Sequence, residues 1–327
     1  MIVRRFEHGK DDLSWNNFLD QSKNKTFLFH RSFMDYHRDR FDDFSLMVFD
    51  DKNNLKALVP ANLDSQNKTT IISHQGLTYG GIVIEQNLKI ISFIDIFHSV
   101  LKFLRNEGIE NFHLKNIPSF YNDFHTDEVE YVLFLINAKL YRRDIALVID
   151  REHRIPYTGN IKREGIKAEK AGIKIEEGCS FENFWTDILA PNLQHRFNRA
   201  PVHSLEEIKL LKSRFPDNIK LFTANMDGDV VAGALLFIEK NTIHCQYISS
   251  NDKGRKSGAL NYLFCNLTDH LLPGHRFFDF GIVNEDEGRE LNRGLLFWKE
   301  SFGGRAVKHD FYSIKTAAHT HLQKYLN

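Results

Sequence analysis

The chain has 327 residues with 43 Lys+Arg against 43 Asp+Glu, and this balance argues against a chain-wide cationic surface of the kind that neutralises nucleic-acid phosphates. Hydrophobic residues at 42% and charged residues at 26% match a globular chain with enough apolar side chain for a real core, and the length favours two domains or one large one. Cys179, Cys245 and Cys265 show no C-x-x-C spacing, so neither a disulfide framework nor a cysteine-based zinc site is expected, and a reducing cytoplasm fits best. The N-terminus has no apolar signal-like run, and no stretch of about 18 apolar residues occurs, so neither a signal peptide nor a membrane span is expected.

In chain order, the apolar pattern predicts strands over 44–49, 55–61 and 69–74. A helix follows, with Ile90, Ile91, Ile94, Phe97, Leu101 and Leu104 on one face, stopping at Glu107-Gly108, and then an alternating strand over 109–114. Residues 142–174 carry nine Lys or Arg against five Asp or Glu and mark the domain junction. Ser204-Leu-Glu-Glu207 reads as a capping box opening a helix over 205–215. Strands are predicted over 219–224, 230–238 and 242–249, with Met226-Asp-Gly-Asp229 as a tight hairpin turn. A helix then runs from about Gly258 to Leu272, with Leu260, Leu263, Phe264, Leu267 and Leu271 on one face, ends at Pro273-Gly274 and leads to a strand over 276–281. Each half thus reads as an antiparallel meander, a helix and a further strand, an internal repeat.

This order resembles the GNAT acyltransferase fold, and its duplication resembles the FemAB-like aminoacyltransferases. The resemblance spans nearly the whole chain. It is carried most specifically by Tyr247-Ile-Ser-Ser-Asn251, Ser257-Gly-Ala-Leu-Asn261, Phe278-Asp-Phe-Gly281 and Leu295-Leu-Phe-Trp-Lys-Glu-Ser-Phe-Gly-Gly304, with support from Pro118-Ser-Phe-Tyr121 and the helix-like 161–172. It implies an α/β (α+β) chain of tandem GNAT-like domains, 1–150 and 151–327, each a mixed, mainly antiparallel sheet flanked by helices.

The segment Asn251-Asp-Lys-Gly-Arg-Lys-Ser-Gly-Ala259 reads as a glycine-bearing loop feeding a helix start, where free N–H groups and the helix dipole suit an anion. Lys253, Gly254, Arg255, Lys256, Ser257, Gly258 and Ala259 are the expected cofactor contacts. GNAT enzymes use an Arg/Gln-x-x-Gly-x-Gly/Ala loop for coenzyme A; here Arg255 and Gly258 stand in that pattern with Ala259 directly after. An ordinary basic loop ending in a helix cap is the alternative. Gly76-Leu-Thr-Tyr-Gly-Gly81 takes the corresponding place in the first half without basic neighbours, so the donor is expected in the second half.

Acyl transfer to an amine needs a positioned carbonyl, a proton acceptor and an acid for the leaving group. Tyr247, Ser249 and Asn251 alternate on one predicted strand face and could line a cleft, although Tyr247 could equally pack in the core. Asp279, rare in a strand, could orient an amine or act as base, or could brace a loop. Lys299 lies near the donor site by resemblance alone, with Gly303 and Gly304 permitting close approach. His309 and Tyr312 fall on the last predicted strand as a proton shuttle and an acid, or as packed residues. Tyr247, Ser249, Asp279, Lys299 and Tyr312 are the catalytic candidates.

Neither His195 and His203 nor His319 and His321 have a third ligand at a metal spacing, and no metal is expected. The resulting expectation is a cytoplasmic N-acyltransferase moving an acyl group directly from a thioester, acyl-coenzyme A, to a small-molecule amine. Two alternatives stand beside it: an aminoacyl-tRNA-dependent enzyme acting on a peptidoglycan precursor, and a non-catalytic scaffold.

Overall fold

The computed structural model describes residues 1–178, 181–271 and 274–326. Cys179 and the predicted Pro273 helix stop lie outside the described residues, as does the side chain of Leu271.

Sixteen strands are described: β1 (Ile2–Arg5), β2 (Leu46–Phe49), β3 (Leu55–Val59), β4 (Asn62–Leu63), β5 (Thr70–Ile72), β6 (Val83–Ile84), β7 (Asn111–Lys115), β8 (Lys139–Asp150), β9 (Lys174–Glu177), β10 (Ile219–Met226), β11 (Asp229–Ile238), β12 (Thr242–Ser250), β13 (Phe277–Ile282), β14 (Asn284–Glu285), β15 (Glu290–Leu291) and β16 (Arg305–Lys315). They fall in two compact units, Met1–Asp144 with Glu287–Arg289 and Lys308–Asn327, and Ile145–Asp286 with Glu290–Val307.

In the first unit the strands run β1-β2-β3-β6 and β4-β5-β7-β16. The helix Ile90–Asn106 buries Phe93, Ile94, Ile96, Phe97, Val100, Leu101 and Leu104, an apolar stripe at three- and four-residue spacing. It stops where Gly108 takes φ +80°, a conformation glycine adopts without a Cβ penalty. The chain returns as β7, parallel to β5, with Phe112 and Leu114 facing the core.

In the second unit the order is β8-β13-β12-β11-β10-β9. The β10–β11 hairpin turns at Asp227 and Gly228, both at positive φ, as a tight two-residue turn requires. The capping box is present: the Ser204 hydroxyl accepts from Glu207 N at 3.1 Å while the Glu207 carboxylate accepts from Ser204 N at 2.8 Å, opening the helix Leu205–Arg214. Ser204→Ala is expected to cost about 1 kcal/mol, read as a lower urea midpoint at unchanged slope.

The second unit carries the predicted meander, helix and parallel strand. In the first, the predicted strand over 55–61 breaks at Pro60, with β3 before it and β4 after it in different sheets, so that β5 pairs with β4 and β7 instead of β3. Two further pieces escape that pattern. The last strand, β16, pairs antiparallel with β7 of the first unit, whereas the end of β8, which follows the first repeat, pairs antiparallel with β13 of the second. The predicted helix over 258–272 is also broken. Asp252–Ser257 is already helical, Gly258 at φ +76° interrupts it, Ala259–Asn266 resumes, and Leu267–Leu271 widens into a π-turn.

Candidate functional site

The parallel strands β12 and β13 stay paired for three positions only: Thr242 with Phe277, Ile243 with Phe278 and His244 with Asp279. Beyond His244, β12 continues to Ser250 along β11, and β13 continues to Ile282 along β8. The strands part at their carboxyl ends, the position where open α/β sheets bind ligands.

A β-bulge decides which side chains look into this fork. Consecutive Leu236 and Leu235 on β11 face Cys245 and Tyr247 on β12, so Gln246 is the extra residue. Neighbours on a strand point to opposite faces, hence Cys245 joins Leu236 in the apolar core while Tyr247 turns to the other face. His244, Tyr247 and Ser249 then share one face, with Asp279 beside His244 across the fork.

Asp279 is 3% exposed; it accepts from His244 Nδ1 at 2.8 Å and from Gly281 N at 2.7 Å. Gly281 at φ +75° turns the strand end. There the Lys299 ammonium, also buried, donates to the carbonyls of Gly281 and Ile282 at 2.9 Å each. Burial pushes the Lys299 ammonium down to about 8, against the opposing pull of Asp279 and Cys245, while the same burial raises the Cys245 thiol. The helix Arg293–Ser301 that carries Lys299 is tied to the helix Ala259–Asn266 by Trp298 Nε1 donating to Asn261 Oδ1 at 2.9 Å. Gly303 is at φ +90°, where a Cβ would stand 2.3 Å from the Ile155 carbonyl oxygen.

The Tyr247 hydroxyl accepts from His203 N at 3.1 Å and lies 2.8 Å from His203 Nδ1, with Trp185 edge-on at 5.1 Å. Burial raises its phenol. Ser249 Oγ accepts from Asn192 Nδ2 at 2.9 Å. Asn251 serves instead as an N-cap, accepting from Gly254 N at 2.9 Å. Tyr312 belongs to the first unit, with its hydroxyl 3.3 Å from Asp310 Oδ2, and so does the buried His309.

The predicted loop over 251–259 is a helical turn, because Asn251 caps it and uses the Gly254 N–H that a loop would leave open. Lys253 pairs with Asp227 and Asp229, and Arg255 pairs with Asp252 and donates to the Ser250 carbonyl. Lys256 makes no ion pair among the described residues. Ser257 Oγ donates to the Gly254 carbonyl, and Ala259 is fully buried beneath the second helix start.

The first unit has its own parallel fork, β5 against β7, and its own chain fills it. Ser73 N donates to the His113 carbonyl, Lys115 N to Ser73 Oγ at 2.7 Å, and Gly80 N to the Lys115 carbonyl at 2.9 Å. A Cβ at Gly80 would stand 1.9 Å from the Ser73 carbonyl oxygen. The helix of this unit starts nine residues past Gly81, at Ile90, so residues 76–81 close the fork and do not open the helix.

Sequence reasoning missed His244, Trp185 and Asn192, and it singled out His203 only beside His195, Arg196 and Arg199, not as a partner of Tyr247. The partners of His244, His203, Trp185 and Asn192 lie 35, 44, 62 and 57 positions away in the chain, and no local spacing announces such pairs. Two groups could offer three metal-ligating atoms among the described residues, His8, Asp12 and Asp35, and Asp150, Glu152 and His153. Basic side chains already engage both: Arg31 and Arg38 in the first, Arg276 in the second.

Residues 181–289 match the acetyltransferase (GNAT) domain family. The fold is similar over 99% of this chain and 100% of the other to FemX, at 10% identity and a TM-score of 0.67. It is similar over 94% of this chain and 93% of the other to the C-terminal domain of a putative lysylphosphatidylglycerol synthetase from Agrobacterium fabrum, at 12% identity and a TM-score of 0.61. A tandem GNAT protein from the clavulanic acid biosynthesis pathway aligns over 96% of this chain and 98% of its own, at 8% identity and a TM-score of 0.53. No curated protein matches in sequence. The fork lies within the matched acetyltransferase domain, and the duplicated fold is that of the solved structures above. Residues 181–289 thus carry a match to the acetyltransferase (GNAT) domain family, and the whole chain shares the duplicated fold of FemX. No helix among the described residues is long and apolar enough to cross a membrane.

Proposed function

We propose that the chain transfers an acyl group from acyl-coenzyme A directly to an amine, with the donor held by the second unit. The observation that carries this reading is the β12–β13 fork, which parts immediately after the His244–Asp279 pair and has the helix start at Gly258–Ala259 in the same unit. Donor phosphates would meet the N–H groups of that helix start together with Lys256. Asp279 orients the His244 ring through its contact with Nδ1, and this pair is the candidate acceptor for the proton of the attacking amine. Tyr247 and Ser249 line the same face, and Lys299 acts as a positioning residue by fixing the backbone at Gly281 and Ile282.

A second reading, an aminoacyl-tRNA donor with a peptidoglycan-precursor acceptor, is favoured by the ion pairs that neutralise Lys253 and Arg255 where coenzyme A phosphates would bind. Calorimetry with coenzyme A and acetyl-coenzyme A separates the two. Micromolar binding, weakened tenfold or more by the exposed charge reversal Lys256→Glu, is the expected result. Absence of binding at millimolar ligand would transfer the assignment to the second reading.

A further inference from the structure

On the first unit, Lys115 of β7 stands opposite Phe311 of β16, and Arg142 of β8 stacks over the same ring. The Lys115 ammonium lies 5.8 Å and the Arg142 guanidinium 4.5 Å from the ring centroid. Tyr141 packs against the same ring at 6.2 Å and against His113 at 5.4 Å. Two cations therefore converge on one aromatic platform.

The compensating charge is incomplete. Asp144, 1% exposed, is the nearest carboxylate, and both its oxygens are taken by Arg142 Nε and Nη2 at distances down to 2.7 Å. Glu287 is exposed and makes no ion pair among the described residues. Lys115 spends one N–H on the Leu77 carbonyl at 2.9 Å. Its two other N–H groups and Nη1 of Arg142 have no partner among the described residues. A half-buried ammonium beside a half-buried guanidinium, with donors unspent, presents converging charge that an anion would neutralise.

We propose that Lys115 and Arg142 form an oxyanion site on the first unit, taking a phosphate or carboxylate group of a ligand against Phe311 and Tyr141. The arrangement suits a single oxygen or a compact oxyanion, because the Arg142 fork is already committed to Asp144. Burial and the neighbouring Arg142 push Lys115 down to about 8, so the site loses its charge as the pH rises through that value.

The test is calorimetry of the intact chain with inorganic phosphate and with succinate, at constant ionic strength and pH 7. Saturable millimolar binding of at least one of them is expected, and comparing the two assigns phosphate or carboxylate as the preferred group. Lys115→Met should weaken it at least tenfold and Lys115→Arg should keep it, and wild-type affinity should fall between pH 7 and 9.5. Absence of saturable heat with both anions in the wild type overturns the proposal, whatever the variants do. So does wild-type affinity in a folded Lys115→Met variant, which would leave Lys115 as a strap on Leu77.

Discussion

Gly254→Ala is expected to destabilise the second unit by about 3 kcal/mol, in the range of severe packing substitutions. A Cβ there would stand 2.2 Å from the Val231 carbonyl oxygen, 2.9 Å from its carbon and 2.5 Å from Ser250 Oγ. Two of these atoms are backbone of β11 and cannot rotate aside. The N–H of the same residue is held by Asn251, so moving the turn outward breaks the cap as well. Gly258→Ala is the useful contrast. Its Cβ would meet Glu164 at 3.0 Å or more, and the strain comes chiefly from φ +76°, worth about 1 kcal/mol. Urea unfolding of both variants checks the order. A loss under 1 kcal/mol at Gly254 would mean that Asp252–Ser257 can leave β11 freely, and the close approach would then have no role in holding the helix start.

Lys299 is expected to contribute stability that rises between about pH 8 and pH 10.5, and Lys299→Met should remove that rising contribution. The raised thiols and phenols such as Cys245 and Tyr247 oppose it. In the folded chain the Lys299 ammonium is pushed down to about 8, below its ordinary 10.5, because burial disfavours the charged form. At this residue the unfolded chain therefore binds more protons across the window, and its contribution to the free energy of unfolding increases with pH. Below pH 8 the full penalty of burying the charge is present. Each tenfold loss of proton affinity on folding is worth about 1.4 kcal/mol, which puts the whole gain at about 1–3 kcal/mol. Lys115 contributes in the same direction. The methionine variant loses two hydrogen bonds to backbone carbonyls and also the cost of burying the charge, so its stability at pH 7 should stay within about 2 kcal/mol of the wild type while its pH slope is smaller. Urea melts of both proteins from pH 7 to 10.5 decide it. Identical slopes would mean that Lys299 is hydrated and that its contact with Gly281 and Ile282 does not hold the strand end.

The elements with a local period were readable from the sequence. The helix Ile90–Asn106 repeats its apolar residues at helical spacing, the 226–229 turn carries Asp-Gly, and the capping box is written in four consecutive residues. The break at Gly258 is hidden from sequence reading because apolar spacing continues smoothly from Leu260 to Leu267, while the break depends on a left-handed Gly258 and on Asn251 capping the turn before it. The second-unit fork is approached in sequence through Tyr247, Ser249 and Asp279, without the histidine that contacts Asp279.

What the sequence by itself determined is the duplicated order of strands and helices, because hydrophobic period, caps and turn residues act over a few neighbouring positions. Only the tertiary structure decided the rest. The bulge at Gln246 turns Tyr247 away from Cys245 and onto the face of His244, since it depends on how β11 and β12 register. Lys299 is buried against Gly281 and Ile282, whereas its sequence context suits an exposed helix position equally well. The first unit's fork is filled by residues 73–81, and β16 closes that unit's sheet from the far end of the chain. Each of these rests on contacts between residues distant in sequence, whose energies arise only when the strands are brought side by side.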